Sequence, residues 1–150
     1  MIELIATAVV STSSALLLAY WFRYTCLLIL SARPTRDYAA QVVMANQLSF
    51  VEVQSRLRSR TVSDLDHLHN LLDQDYRVIC YLLKHASLSA NGRGFEAKML
   101  VVHYRLMEAW YGVARSVSSS AACGALDEMS RVVAYFANVM GEHAAGSAAA

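Results

Sequence analysis

The residues of this chain that could carry chemistry are its histidines, cysteines and clustered acids. Asp64 stands three positions before His67, and Asp66 stands three before His69. Helical proteins that hold two metal ions use Glu-x-x-His at this spacing, together with two further carboxylates. Here the acids are Asp, and the two pairs overlap in the first turn of one predicted helix, so the two histidines face different ways. We interpret these residues as helix-cap and surface groups.

Asp73 and Asp75 flank Gln74 in the middle of the same predicted helix. One of the two must lie near the apolar stripe of that helix, because residues two positions apart point in different directions. We expect both carboxylates to be solvated, and a buried, paired Asp75 is the alternative.

The remaining candidates form no catalytic or metal-binding motif. His103 lies beside an apolar stripe, and we expect a hydrogen-bonded core histidine there, since a haem site would need a second ligand and space between helices. Cys26, Cys80 and Cys123 are far apart and form no CxxC pair, and unpaired thiols are typical of a reducing compartment. The sequence lacks nucleophile-elbow, phosphate-loop and zinc-protease motifs. We therefore predict a protein that is not an enzyme and has no metal or cofactor.

The elements that must position these residues begin with a long apolar segment. Between Glu3 and Arg23 lie nineteen residues without a charge, and a hydrocarbon core about 30 Å thick needs about 20 apolar helical residues. No Lys or Arg precedes the segment, and it is longer than the apolar core of a signal peptide. We predict a retained transmembrane helix over residues 1–32, with a cleaved signal peptide or a buried soluble helix as alternatives.

The basic residues near this helix lie on its C-terminal side, at Arg23, Arg33 and Arg36. Because positively charged flanks stay in the cytoplasm, we predict a single-pass membrane protein with its N-terminus outside and the rest of the chain in the cytoplasm. Aromatic residues beside Arg23 are typical of a membrane interface, where the arginine can extend its guanidinium to the headgroups. The predicted interfacial residues are Tyr20, Trp21, Arg23 and Tyr24.

The position of the helix in the bilayer has two interpretations. If the span ends at Phe22, Leu27 to Leu30 lie past the interface and must pack on a partner or along the headgroups. If the span runs from Ser11 to Leu30, Arg23 lies inside the bilayer and needs a partner. We prefer the first interpretation because it keeps Arg23 at the interface.

One side of the same helix carries a small residue at every fourth position. Small residues at that spacing let a second helix approach closely, and close packing drives helix association in lipid. The alternative is chance, because Ala and Ser are common in apolar helices. The predicted packing residues are Thr7, Ser11, Ala15 and Ala19.

Four amphipathic helices are predicted after this anchor, joined by short segments such as Ser118–Gly124. Their apolar residues recur at spacings of three and four, and no segment alternates with a period of two, so we predict an all-α protein. Such helices are typical of an antiparallel four-helix bundle. We place a cytosolic bundle at residues 33–145 and a flexible tail at 146–150. The predicted helices are Thr35–Arg58, Asp64–Ala86, Phe95–Val117 and Ala125–Ala144.

Each predicted helix has an apolar stripe that we expect to face the bundle core. In the first helix the stripe has one polar member, Asn46, which is typical of a residue that fixes helix register. The second and fourth stripes are Leu65, Leu68, Leu72, Tyr76, Ile79, Leu83, Ala86 and Leu126, Met129, Val133, Phe136, Met140, His143. The third stripe is Phe95, Met99, Val102, Leu106, Trp110, Val113 and Val117.

The chain as a whole has a formal net charge of +1, whereas a nucleic-acid-binding domain of this size is usually clearly basic. We predict no nucleic-acid partner. Our hypothesis is a non-catalytic accessory subunit that scaffolds or docks within a larger membrane protein assembly. Its expected partners are other membrane protein subunits, in a homo- or hetero-oligomer, and the lipid bilayer. A single-pass signalling or sensory helical bundle is the alternative.

Overall fold

The computed structural model describes residues 1–32, 37–59, 64–85 and 94–148, and within these ranges the chain forms six helices and no strand. The prediction of an all-α protein is confirmed. The chain divides into two compact units, Met1–Ala32 and Arg33–Ala150. The helices are α1 (Ile2–Ser31), α2 (Ala39–Asn46), α3 (Phe50–Arg58), α4 (Leu65–His85), α5 (Gly94–Val117) and α6 (Ser119–Ala148).

The first unit consists of α1. Its 30 residues correspond to a helix about 45 Å long at 1.5 Å per residue. Glu3 lies in the first turn, where a carboxylate interacts favourably with the positive end of the helix dipole. This helix is long and apolar enough to cross a membrane, and it is the one helix of the described residues that meets that condition.

The first predicted helix of the second unit is two helices in the structure. We expected one helix over Thr35–Arg58, but α2 ends at Asn46 and the next residue, Gln47, has the left-handed conformation with φ 52°. The N–H of Leu48 then donates to the Val43 carbonyl at 3.2 Å, which closes the end of α2. Thr35, the predicted start, lies outside the described residues.

A side chain from another helix explains why the new helix α3 begins where it does. The N–H of Ser49, immediately before α3, donates to the Asp75 carboxylate of α4 at 2.7 Å. A carboxylate is a strong acceptor for the free N–H groups at a helix N-terminus. Asn46, which we expected to fix helix register, instead donates from Nδ2 to the Val42 carbonyl in its own helix at 3.0 Å.

The stripes predicted for α4 and α6 face the core. Leu68, Leu72, Tyr76 and Ile79 are buried on α4, and the middle of α6 is buried in the same way. Ala86, the last predicted member on α4, lies outside the described residues, and His143 at the end of the α6 stripe is exposed. The buried apolar residues of α6 are Ala122, Ala125, Leu126, Met129, Val132, Val133, Phe136 and Ala137, and Ser130 is also buried.

The predicted linker Ser118–Gly124 is helical except for its first residue. Ser118 separates α5 from α6, and its carbonyl accepts the N–H of Ala122 at 3.0 Å. Its hydroxyl also accepts the N–H of Ala121 at 3.5 Å, as in an N-terminal cap. The small residues that we interpreted as a loop are helical because Ala122 and Ala125 are buried in the core. The predicted tail is likewise helical up to Ala148, and residues 149–150 lie outside the described ranges.

Helix α6 is the centre of the second unit, since it packs against α2, α3, α4 and α5. It runs antiparallel to α5: Glu96 at the start of α5 contacts Tyr135, and His103 further along contacts Glu128. Gly141 permits the close approach of α2, because a Cβ at this position would collide with the side chain of Tyr38. The predicted four-helix bundle is not confirmed, since five described helices form the unit around α6.

Candidate functional site

Between Leu4 and Trp21 the helix α1 is uncharged and exposed on every side, whereas Cys26 near its C-terminal end is buried. The most apolar 18-residue window of this helix has no buried residue, and large apolar side chains such as Leu4, Leu16 and Leu18 are exposed. A helix that is apolar all round is typical of a membrane span or the core of a large protein. The predicted anchor therefore has the surface that lipid contact requires.

Several hydroxyl groups of α1 donate hydrogen bonds within the helix itself. Thr7 donates to the Glu3 carbonyl at 2.8 Å, and Thr12 donates to the Ala8 carbonyl at 2.7 Å. Ser13 makes the same contact with Val9 at 2.8 Å. A polar group in hydrocarbon must find a partner, and these hydroxyls find theirs without help from water or another chain.

The structure brings the predicted interfacial residues together on α1. The rings of Tyr20, Trp21 and Tyr24 form one cluster, with centroids 6.1–6.5 Å apart. All three side chains and Arg23 are exposed. Such a cluster next to an arginine is the arrangement that membrane interfaces favour. The predicted packing residues Thr7, Ser11, Ala15 and Ala19 are also exposed, and their contact with another helix stays a prediction.

Helix α5 presents its predicted core stripe to the outside, so that prediction was wrong. Phe95, Val102 and Val113 are exposed by 73%, 50% and 54%, and Met99 is half-buried. We call the seven residues the outer stripe of α5. They are Phe95, Met99, Val102, Leu106, Trp110, Val113 and Val117.

A second face of α5, about a third of a turn away at 100° per residue, is the one that packs inside. The residues of this second face recur at the same helical spacing, but they include aromatic and polar side chains that contact partners on α4 and α6. The more apolar face is thus left outside because the other face forms specific contacts. The buried residues are Leu100, His103, Tyr104, Met107, Tyr111 and Ala114.

Tyrosine rings form the contact between α4 and α5. Tyr76 and Tyr104 are stacked with centroids 3.7 Å apart. Burial raises the pKa of both phenols, so both are neutral at physiological pH. The Tyr104 hydroxyl has no hydrogen-bond partner among the described residues. These rings supply apolar area to the core between the two helices.

The end of this contact is polar. The Tyr111 hydroxyl donates to Asp66 Oδ1 at 2.9 Å, and Arg115 Nη2 donates to Asp66 Oδ2 at 2.8 Å. Burial and the hydrogen bond to Asp66 raise the pKa of Tyr111 to about 12. His69 stacks on the Tyr111 ring with centroids 4.6 Å apart.

Asp64 caps α4 by accepting the N–H of His67 at 3.0 Å. The interpretation of these acids as cap and surface groups agrees with their contacts.

Two buried polar side chains lie further along the helices. His103 is 1% exposed, and its Nε2 lies 3.3 Å from Glu128 Oε2 on α6. Asp75 is 5% exposed, which contradicts our expectation of a solvated carboxylate. Burial raises the pKa of Asp75, and the N–H groups of Ser49 and Phe50 partly offset that effect. The contact with Ser49 links Asp75 on α4 to the start of α3, and the contact with Glu128 links His103 on α5 to α6.

The described residues contain no group of three or more His, Cys, Asp or Glu side chains that could hold a metal ion. Cys26, Cys80 and Cys123 are free cysteines. No protein-family model, curated protein or solved structure matches the chain. The candidate functional surfaces of this molecule are therefore its two exposed apolar surfaces, α1 and the outer stripe of α5.

Sequence reasoning missed the burial of Asp75 and the inner face of α5, and the signal for Asp75 was the clearer of the two. Asp75 stands three residues after Leu72 and four before Ile79, so helical spacing places it on the buried face of α4. The inner face of α5 gave a weaker signal, because its His and Tyr side chains made the outer stripe the more apolar of the two faces.

Proposed function

We propose that this chain is a membrane-anchored, non-catalytic helical subunit that docks within a larger membrane protein assembly. The observation that carries the proposal is the exposed, uncharged surface of α1 between Leu4 and Trp21. About 25 cal/mol is lost for each Å² of apolar surface left in water, so a helix of this kind is stable only when lipid or protein covers it. A bilayer covers it on every side.

The second unit supports the docking part of the proposal. Soluble monomers expose apolar residues singly, whereas contiguous exposed patches are typical of interaction sites. The outer stripe of α5 is such a patch, and it includes the aromatic residues Phe95 and Trp110, which are enriched at protein interfaces. The lack of a catalytic motif in the sequence is in keeping with a structural role.

The proposed orientation has the N-terminus outside and the second unit in the cytoplasm. It is supported by Arg23, Arg33 and Arg36, which follow the apolar segment, whereas Glu3 is the one charged side chain before it. The aromatic cluster of Tyr20, Trp21 and Tyr24 would then lie at the cytoplasmic interface of the bilayer.

Fractionation of cell membranes tests the anchor. The full chain should stay in the membrane pellet after washing with alkaline carbonate and should need detergent for release. A matched chain without residues 1–32 should appear in the supernatant. Release of the full chain by carbonate alone would overturn the anchoring part of the proposal.

Purification in mild detergent tests the docking part. A tagged full chain should elute as an assembly larger than one chain. A solitary monomer with no associated protein would overturn it. Orientation is tested separately with an impermeant maleimide on intact cells, which should label Ile2→Cys and should not label Ser116→Cys.

A further inference from the structure

The outer stripe of α5 needs an occupant, and we propose that it is the outer stripe of a second copy of this chain, paired in parallel about a two-fold axis. This inference rests on the proposed function for its setting, a bilayer that holds two copies side by side. It goes beyond it by naming the partner, the contact surface and the direction of pairing.

The spacing of the stripe suits a long, straight contact. Phe95, Leu106 and Val117 are eleven residues apart, and Met99 with Trp110 and Val102 with Val113 repeat at the same interval. An eleven-residue repeat corresponds to about 3.67 residues per turn, so the stripe stays on one side of the helix. From first to last residue it is about 33 Å long at 1.5 Å per residue.

The two borders of the stripe carry opposite charges. Lys98 and Arg105 are exposed on one border, and the guanidinium of Arg105 also contacts Glu108 at 2.8 Å. On the other border lie Glu96 of α5 and Glu128 of α6, which contacts the buried His103. The exposed Lys98 therefore gives one border a positive charge, whereas the charge of Arg105 is paired with Glu108, and the exposed Glu96 gives the other border a negative charge.

Charge complementarity then selects both the partner and the direction. When two identical helices pair in parallel about a two-fold axis, opposite borders meet; in antiparallel pairing, like borders meet. Parallel pairing of two copies brings Lys98 of each chain towards the acidic border of the other. Antiparallel pairing, with Phe95 opposite Val117, would place Lys98 level with Ala114 of the other chain and would remove this attraction. The stripe is thus complementary to itself in the parallel direction.

Cysteine cross-linking of the full chain in membranes tests this pairing. In a parallel two-fold pair every stripe residue meets its own counterpart, so Phe95→Cys and Val117→Cys, at opposite ends, should both form covalent dimers on oxidation. Val101→Cys lies on another side of α5 and should remain at the level of the parent chain. An antiparallel pair, or a different protein on the stripe, would leave both end cysteines without dimer and would overturn the inference.

Two matched sets of variants sharpen the test. In the Phe95→Cys background, Val113→Asp should abolish the covalent dimer, while Val101→Asp should retain it. Lys98→Glu should reduce the dimer, and adding Glu96→Lys should restore it. Equal dimer yields from Val113→Asp and Val101→Asp would overturn the inference.

Carbonate washing and cross-linking of the same membranes distinguish a failure of the pairing from a failure of the anchor. Chains that stay in the carbonate-washed pellet but form no dimer at Phe95→Cys would overturn the pairing and leave the anchor intact. Chains that appear in the supernatant yet form the dimer would overturn the anchor and retain the pairing.

Discussion

Helices α1 and α5 both expose large apolar side chains, but they do so in different ways. Helix α1 is apolar around its whole circumference, whereas α5 has one apolar side outside, a second side buried against α4 and α6, and charged residues between them. An all-round apolar surface is typical of a membrane span, where lipid surrounds the helix. A one-sided stripe with charged borders matches a protein partner that approaches from one direction. The same residue types therefore indicate two different environments.

The largest effect should come from the buried side of α5, which has no counterpart on α1. Leu100→Ala removes a fully buried side chain and should reduce the free energy of unfolding by about 2–5 kcal/mol. Leu106→Ala, the same change on the exposed stripe, should cost clearly less, because Leu106 is 50% exposed in the folded chain. Urea unfolding followed by Trp110 fluorescence measures both. Equal losses of unfolding free energy would mean that α5 does not bury one of these sides more than the other.

A charge on each exposed surface should separate lipid contact from protein contact. Leu16→Asp places a carboxylate in α1 and should disfavour membrane insertion by about 2.5–3.5 kcal/mol. The matched Leu106→Asp should leave insertion unchanged. The fraction of chain in carbonate-washed membranes reports this. Insertion that survives Leu16→Asp as well as Leu106→Asp would argue against lipid around α1.

The two tyrosines on the inner side of α5 differ in whether their hydroxyl groups have a hydrogen-bond partner. Replacing each by phenylalanine should therefore change the stability of the fold in different directions. Tyr111→Phe removes the hydrogen bond to Asp66 and should cost about 1 kcal/mol. Tyr104→Phe removes a buried hydroxyl without a partner among the described residues, and should be neutral or stabilising by up to about 1 kcal/mol. Thermal unfolding of the two variants beside the parent is the measurement. A larger loss for Tyr104→Phe would contradict these contacts.

The smallest effect should be the pH dependence of folding stability that the buried carboxylate of Asp75 causes. The part of α1 between Glu3 and Arg23 has no charged residue of this kind. The folded pKa of Asp75 is raised by burial, so its contribution to stability is full below the unfolded pKa and is lost as pH rises through the folded pKa. The stability of the parent should therefore fall relative to Asp75→Asn between acid and neutral pH. Asp73→Asn is the matched control, and urea midpoints across this range measure the difference. A pH-independent difference would contradict the account.

Helical periodicity predicted where the helices of the second unit lie better than it predicted which sides they bury. On α4 the apolar stripe has one strong side, and Leu68, Leu72 and Ile79 are buried as expected. On α5 two sides compete, and the choice depends on partners such as Asp66 for Tyr111 and Glu128 for His103. Those partners belong to other helices, so the periodicity of α5 alone could not select the buried side.

The break between α2 and α3 has the same origin. The apolar spacing of residues 39–57 continues through Gln47, which predicts one helix. In the structure α2 ends at Asn46, and Asp75, distant in sequence, accepts the N–H of Ser49 at the start of α3. Of the candidate surfaces, the apolar span and the aromatic cluster of α1 follow from neighbouring residues and could be predicted. The exposure of the α5 stripe depends on tertiary packing and could not.

The two tryptophans of the chain, Trp21 on α1 and Trp110 on the outer stripe, allow one direct test. In vesicles that contain brominated lipids, Trp110→Phe leaves Trp21 as the fluorophore, and Trp21→Phe leaves Trp110. The account predicts that lipids brominated near the headgroup quench Trp21, as a span ending at Phe22 requires, and that no brominated lipid quenches Trp110. Quenching of Trp21 by deeply placed bromine would instead favour the span Ser11–Leu30. An unquenched Trp21, or a Trp110 quenched as strongly as Trp21, would contradict the division between a lipid-facing α1 and a protein-facing α5.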